Sequence, residues 1–147
     1  MSGIGTEIRA VSKVFLDTSP FIYFIEEVVP YYDIVKDIFA SNAFGQLQIV
    51  TSPLTLTELL TQPIKKRSYQ LAAEYEDILL NSPFIYLVPF DATVAKKAAE
   101  IRAGYGIQTA DAIQVASAII SGSELFVTND QRLSVVKEIK VIQLSHV

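Results

Sequence analysis

The sequence predicts an α/β fold, a three-layer α/β/α sandwich with a mainly parallel central sheet of about five strands. Short, largely apolar runs have the length of buried strands, and most of them lead through polar turn residues into a stretch with helical periodicity. Buried strands that alternate with helices are typical of a parallel sheet covered on both faces. The predicted strands cover residues 14–16, 47–50, 84–88, 125–127 and 141–144.

Capping residues and prolines mark the first helices after the second strand. Ser52 followed by Pro53 has the form of an N-cap with proline in the first turn, and it predicts a helix that runs to about Leu60, where Pro63 interrupts it. A longer helix is predicted over residues 65–80.

Asp91 begins the next predicted helix, over residues 92–102, which ends at Gly104 and Gly106. The helix predicted over residues 109–121 is apolar almost all round and is therefore buried. Its polar residues recur at spacings of three or four and form one thin stripe: Asp111, Gln114, Ser117 and Ser121.

Length and composition predict a single domain covering residues 1–147, because 147 residues fit one core and 50% of them are hydrophobic. Whether the leader of residues 1–12 is ordered is left open. Without cysteine, the chain has no disulfide, thiolate zinc site or thiol nucleophile. No apolar run approaches the ~20 residues of a membrane span, and residues 1–13 lack an apolar signal core. The default compartment is the cytoplasm.

The net charge of −4 argues against a protein that coats nucleic acid by bulk electrostatics. It is compatible with an enzyme that acts on nucleic acid through cations bound to clustered acids.

Four acids are candidates for such a cluster. Asp17 directly follows the first predicted strand, and Asp130 follows the fourth. Ligands of open parallel sheets bind beyond the carboxyl ends of the strands, so both acids belong to the functional edge. Glu58 lies two turns into the helix after the second strand, and Asp111 lies in the first turn of the buried helix. If these helices begin at the same edge, all four acids converge.

Three of the four acids also have a purely structural interpretation; Asp17, between a strand and residues 18–21, is harder to explain in this way. Asp130 and Asp111 would serve as an N-cap and a helix-dipole partner, and Glu58 as a solvated helix residue. Asp91 is a useful control, because it also follows a strand but is most simply an N-cap. The lone histidine, His146, is close to the chain end and is interpreted as a tail residue rather than a catalyst.

At this point four segments resemble, in order, the motif series of PIN-domain nucleases, and most closely small single-domain toxins of the VapC kind. The segments are FLDTS at 15–19, SPLTLTELL at 52–60, TADAIQVASA at 109–118 and LFVTND at 125–130. The resemblance extends from about residue 14 to 144.

The resemblance implies a PIN-like fold and a metal-dependent endoribonuclease. It assigns catalysis and the binding of Mg²⁺ or Mn²⁺ to the four acids. Our hypothesis is that Asp17 and Asp111 are the principal ligands and that Glu58 and Asp130 complete the site. Thr128 would support the site from the second layer, with Thr18 and Asn129 assisting. Carboxylates suit these hard cations, which keep positions open for water and substrate.

Substrate and partners are less clearly indicated. Arg132, two residues beyond Asp130, is a candidate for binding RNA phosphate. The aromatic run at residues 21–25, with Tyr31 and Tyr32, is explained by core packing or by an interface. The resemblance implies a homodimer and a small antitoxin protein that covers the acidic pocket, so the chain would be the toxin of a toxin–antitoxin pair. No membrane partner is expected.

Two other functions remain as alternatives. A catalytically inactive PIN-like scaffold that binds RNA or protein is disfavoured by the complete set of acids. A phospho-accepting receiver domain needs an acidic pair before its acceptor aspartate and a lysine at the end of the last strand; residues 14–16 and 141–145 provide neither.

Overall fold

The computed structural model describes residues 3–146, with side chains from 4 to 145. Five strands form one sheet in the order β3-β2-β1-β4-β5, and all four neighbouring pairs are parallel. The predicted α/β class is confirmed, and every predicted strand is found to within about two residues. The strands are β1 (Lys13–Leu16), β2 (Gln48–Thr51), β3 (Ile85–Leu87), β4 (Leu125–Thr128) and β5 (Lys140–Gln143).

Helices cover both faces of the sheet. They are α1 (Gly3–Arg9), α2 (Thr18–Ile25), α3 (Tyr32–Ala43), α4 (Pro53–Lys65), α5 (Tyr69–Asn81), α6 (Ala92–Tyr105) and α7 (Thr109–Ile120), with short 3₁₀ turns at Gln131–Val135 and Leu144–His146. The sequence of the central strand β1 is continuously apolar over residues 14–16 because both of its faces are buried. Phe15 belongs to the core cluster of α6 and α7, whereas Val14 and Leu16 belong to the cluster on the opposite face.

The segment ahead of β1 contributes to the core. Ile4 and Ile8 of α1 are 2% and 6% exposed and join the cluster on the α3 face of the sheet. The sequence left the order of this leader open; in the structure its helix is held by burial of these two side chains.

Capping residues fix the start of α4, which carries Glu58, and the start of α6. Ser52 accepts a hydrogen bond from the backbone of Leu54, with Pro53 in the first turn of α4, and Asp91 caps α6 by accepting from Val94 at 3.0 Å. Gly106 ends α6 in the left-handed conformation, with φ of 68°. The two N-cap predictions and the end at Gly106 are confirmed, but α6 continues through Gly104 to Tyr105, three residues beyond the predicted end at residue 102.

The predicted interruption at Pro63 is wrong. Helix α4 continues through Pro63 to Lys65, and α5 begins at Tyr69 rather than at residue 65. Proline removes only one backbone donor, and here it lies in the last turn, where the backbone of Lys66 still donates to Gln62. The chain turns afterwards at Arg67, which has a φ of 58°.

Among the described residues, no helix has the combined length and apolar character needed to cross a bilayer.

Candidate active site

Two of the four acids lie side by side at the carboxyl edge of the sheet. Leu16 and Val127 are partners in the β1–β4 ladder, and the backbone of Asp17 extends this pairing by donating to Val127 at 3.0 Å. Asp17 directly follows β1 and is the N-cap of α2, and Asp130 is the second residue after β4. Their positions follow directly from the order of the strands.

The helices bring the other two acids to the same place. An open cavity of about 450 Å³ at this edge is lined by Asp17, Glu58 and Asp130, together with Arg132. Asp111, in the first turn of α7, is reached by the same arginine, whose Nη2 lies 3.7 Å from Asp111 Oδ2. The structure therefore brings together all four acids that the sequence singled out.

Asp17 is held by neutral donors. Thr128 Oγ1 donates to Oδ2 at 2.8 Å, and Gln114 Nε2 donates to Oδ1 at 3.2 Å. Thr128 also accepts from the backbone of Asp130 at 3.0 Å, so this buried hydroxyl links the two acids at the strand ends. Uncharged groups thus fix the direction of the Asp17 carboxylate.

Glu58 is exposed as a residue, but its carboxyl group faces the other acids. Thr18 Oγ1 donates to Glu58 Oε1 at 2.9 Å. Desolvation raises the pKa of Glu58 above its ordinary value, the Thr18 hydrogen bond lowers it, and the negative charges of Asp17 and Asp111 raise it further. The charge of Glu58 is therefore only partly compensated.

The pKa of Asp111 is also above its ordinary value. Partial burial raises its pKa, the guanidinium of Arg132 lowers it, and the charges of Asp130 and Asp17 add to the rise. Asp130 differs, because Arg132 donates to both of its carboxylate oxygens, at 3.0 and 3.2 Å from Nε and at 2.6 Å from Nη2. These hydrogen bonds hold the pKa of Asp130 below its ordinary value.

Removing the Glu58 charge is expected to stabilise the metal-free protein. A raised pKa means that the folded state binds the proton more tightly than the unfolded state, so stability falls as the pH rises through the raised value. We expect Glu58→Gln to raise the thermal unfolding midpoint at neutral pH and to give no gain in acid. Circular dichroism in EDTA across the pH range measures this. The matched control is Glu76→Gln, at an exposed position of α5; a larger gain there would contradict the interpretation.

The sequence comparison identifies the family. The family model of the PIN domain matches residues 14–139. The chain belongs to the PIN domain family. The matched range contains all four acids and the two strands that position Asp17 and Asp130. A search of curated proteins gave no match.

Solved structures share the PIN fold. A chain of DNA-bound VapBC from Salmonella typhimurium has a TM-score of 0.70 at 20% identity, with 91% of this chain and 99% of that chain covered. Mycobacterium tuberculosis VapC20, described as a sarcin-ricin loop cleaving toxin, has a TM-score of 0.67 at 18% identity, with 86% and 98% covered. FitAcB from Neisseria gonorrhoeae has 0.67 at 20% identity, with 91% and 99% covered. The likeness extends over nearly the whole length of each chain.

The donor chemistry of this PIN domain fits a divalent cation, although the acids are not yet arranged around one. Within the described residues, no three acidic or histidine side chains hold a metal position jointly as they stand. Arg132 lies between Asp130 and Asp111, and Glu58 turns toward Thr18. Arg132 and Glu58 are exposed side chains, and their rotation would free the carboxylates. Hard cations such as Mg²⁺ and Mn²⁺ prefer such oxygen ligands.

The three supporting residues predicted from the resemblance have different contacts. Thr18 contacts Glu58, and Thr128 contacts Asp17. Asn129 lines the cavity, but its side chain donates to the hydroxyl of Tyr23 at 2.9 Å and accepts from the backbone of Ser145 at 3.0 Å. Asn129 therefore fastens the cavity wall rather than an acid.

The structural interpretations of the acids are partly realised as well. Asp130 caps the 3₁₀ turn by accepting from the backbone of Arg132 at 3.0 Å, in addition to its ion pair. Asp91, the control, makes its capping bond and is not among the residues lining the acidic cavity. The side chain of His146 lies outside the described residues.

The aromatic run packs mainly within the protein. Phe21 is fully buried, Tyr23 stacks on Tyr31 with ring centroids 4.5 Å apart, and Phe24 stacks on Phe39 at 4.0 Å. Core packing accounts for these side chains.

Sequence reasoning placed Gln114 in the polar stripe of α7 but gave it no role. In the structure its amide contacts Asp17, Thr55 and Ser52. The signal was present, since Gln114 stands three residues after Asp111 on a helix that is otherwise almost entirely apolar. What was missing is the three-dimensional position of α7 against the end of β1.

A larger cavity, of about 580 Å³, lies between α6 and the start of α7. It is lined mainly by Phe90 and alanines, and no acidic side chain lines it. It lacks the chemistry of the acidic cavity.

Proposed function

We propose that this chain, as a single nuclease domain, is a metal-dependent endoribonuclease and the toxin of a toxin–antitoxin pair. The observation that carries the proposal is the convergence of Asp17, Glu58 and Asp130 on one cavity at the carboxyl edge of the sheet, with Asp111 beside it in contact with Arg132. Partial burial, and in addition the neighbouring carboxylates, raise the pKa of Glu58 and that of Asp111 above their ordinary values, as is common for acids gathered at a functional site.

In this proposal Asp17 and Asp111 are the principal ligands of Mg²⁺ or Mn²⁺, and Glu58 and Asp130 complete the site. The bound cation supplies Lewis-acid chemistry: it acidifies a water, orients the phosphate and offsets the charge that develops during hydrolysis. The chain has no cysteine to act as a nucleophile. Hydrolysis by an activated water is therefore the reaction class that its side chains favour.

The protein's own residues contribute direction and charge. Thr128 and Gln114 orient the Asp17 carboxylate, and Thr18 orients that of Glu58. Arg132, which is exposed at the cavity rim, is placed to exchange its contact with Asp130 for an RNA phosphate.

RNA as substrate and an antitoxin as partner are supported by the relatives rather than by a bound ligand. VapC20 is described as cleaving the sarcin-ricin loop, and the Salmonella structure is of VapBC bound to DNA. We further propose that this chain acts in the cytoplasm, as a homodimer bound by a cognate antitoxin.

Cleavage of a mixed RNA pool tests the proposal. Wild-type protein is compared in Mg²⁺, Mn²⁺ and EDTA with Asp111→Asn and with Asp91→Asn, the matched control that caps a helix away from the cavity. We expect fragments from wild type and Asp91→Asn only when metal is added, and none from Asp111→Asn. Equal cleavage by all three, or by none, would contradict the proposal.

A non-catalytic scaffold is the second candidate, and the position of Arg132 favours it, because the guanidinium neutralises Asp130 where a cation would bind. RNA binding in EDTA as well as in metal, measured by gel shift on the same samples and without fragments, would support that candidate instead.

The two roles of Arg132 make a distinctive prediction. Arg132→Gln removes a competing cation from Asp130 and Asp111, and it also removes the proposed phosphate contact. We expect tighter Mn²⁺ binding by calorimetry together with a higher KM for RNA. A variant that binds metal more weakly than wild type would show that Arg132 supports the site rather than competing for it.

A further inference from the structure

Gln114 is a buried polar residue in the middle of an apolar helix. It is 3% exposed, and its neighbours in α7, Ile113 and Val115, are core residues. Burying an amide is unfavourable unless its hydrogen bonds are made inside the protein. Ser117, one turn further along, meets this requirement within its own helix by donating to the carbonyl of Ile113 at 2.7 Å. Gln114 instead makes its hydrogen bonds to residues outside α7, at the end of β1 and at the start of α4.

The contacts of Gln114 fix which way its amide points. Its Nε2 donates to Thr55 Oγ1 at 2.7 Å and to Asp17 Oδ1 at 3.2 Å, and its Oε1 accepts from the hydroxyl of Ser52. The opposite orientation would place a carbonyl oxygen against a carboxylate oxygen, which are both acceptors. Only the observed orientation satisfies every partner.

The network behind Gln114 is itself anchored. The hydroxyls of Thr51 and Thr55 are hydrogen-bonded at 2.8 Å, and Thr51, at the end of β2, donates its own proton to the carbonyl of Leu16 at 2.8 Å. Ser52 caps α4, the helix that carries Glu58. The side chains of Thr51, Ser52 and Thr55 are buried. The amide of Gln114 therefore ties α7 and the start of α4 to the carboxylate at the end of β1.

Both carboxylate oxygens of Asp17 accept a hydrogen bond from a buried side chain. One carboxylate oxygen takes the Gln114 donor and the other takes Thr128, both neutral and both buried. Each oxygen has further lone pairs, and the carboxylate lines the acidic cavity. Hydrogen bonds from uncharged donors fix the direction of the carboxylate and bring no positive charge that would compete with a cation.

We propose that Gln114 is a positioning residue that holds Asp17 in the orientation that binds the divalent cation, with Ser52 and Thr55 setting the amide. This inference rests on the proposed function, because it concerns the same site. Outer-layer partners of metal ligands typically contribute about 10- to 100-fold to metal affinity. The effect of losing Gln114 is therefore expected on metal binding and not only on folding.

Metal affinity is the readout that separates positioning from packing. Gln114→Met keeps the length and burial of the side chain and removes its donor. The matched control is Ser117→Ala on the same buried helix, whose hydroxyl is bonded within α7. We expect calorimetry to show a Kd for Mn²⁺ at least about tenfold weaker in Gln114→Met and little changed in Ser117→Ala.

Asp17→Asn distinguishes failure of this inference from failure of the proposed function. If wild type binds Mn²⁺, Asp17→Asn does not, and Gln114→Met binds like wild type, then Gln114 has no positioning role and the metal site stands. If wild type binds no Mn²⁺, the proposed function fails and the inference fails with it.

A second measurement needs neither metal nor a folded Gln114 variant. The side-chain amide signals of Gln114 in a ¹⁵N NMR spectrum of the metal-free protein are expected to shift and to exchange faster in Asp17→Asn, and to stay in place in Asp91→Asn. Unchanged signals in Asp17→Asn would overturn the contact on which the inference depends.

Discussion

Replacing Asp17 with asparagine is expected to reduce RNA cleavage by at least about 100-fold, the upper end of what loss of a mere supporting partner costs. Asparagine has nearly the same shape but no charge. It also presents an NH₂ group where Asp17 offers only acceptors, so this group would face Gln114 Nε2 or the Thr128 hydroxyl. The substitution therefore removes both the charge and the orientation of the principal ligand.

Two measurements check the Asp17 prediction. Cleavage rates are compared with those of Asp91→Asn, which keeps every residue of the cavity. Thermal unfolding is then followed with and without Mn²⁺. Metal is expected to raise the midpoint of wild type and of Asp91→Asn, because a ligand stabilises the state that binds it, and to leave Asp17→Asn unchanged. A wild-type response in Asp17→Asn would show that metal binds elsewhere.

Phe126→Ala is expected to lower the free energy of unfolding by about 3–5 kcal/mol, the usual cost of truncating a buried phenylalanine. Phe126 is fully buried and stacks on Phe15 with ring centroids 5.1 Å apart and an angle of 9° between the ring planes. The two residues are partners in the β1–β4 ladder, two positions before Thr128 and Asp17. The same packing that stabilises the sheet therefore holds the two strand ends in register at the site.

Urea unfolding measures the effect of Phe126→Ala. Phe44→Ala is the control, because Phe44 is 81% exposed and its truncation is expected to change the free energy by less than about 0.5 kcal/mol. A loss at Phe126 similar to that at Phe44 would mean that the β1–β4 core is not packed as described.

The sequence predicted the sheet well because burial on both faces leaves a local trace. Residues 14–16 and 125–127 are apolar without interruption, and they form the central strands. Once these strands are parallel neighbours, the acids that follow them must lie at one edge. The positions of Asp17 and Asp130 were therefore readable from the chain, as was the capping role of Asp91.

The contacts that set the chemistry were not readable in the same way. Sequence proximity suggested Arg132 as a phosphate ligand, but its bidentate contact with Asp130 depends on a side-chain conformation that no pattern encodes. Gln114 lies 97 residues from Asp17 in the chain, and its role depends on how α7 packs against β1. The helix end predicted at Pro63 was wrong because proline interrupts the interior of a helix, whereas Pro63 lies in the last turn of α4.

Crystals grown with Mn²⁺ test the central claim most directly, because anomalous scattering locates the ion without reference to activity. We expect an anomalous peak in the acidic cavity, within about 2.0–2.6 Å of carboxylate oxygens of Asp17 and Asp111, as divalent cations bind oxygen. Arg132 is expected to be displaced from Asp130. A peak held by other residues, or an acidic cavity without a peak and with Arg132 still on Asp130, would contradict it.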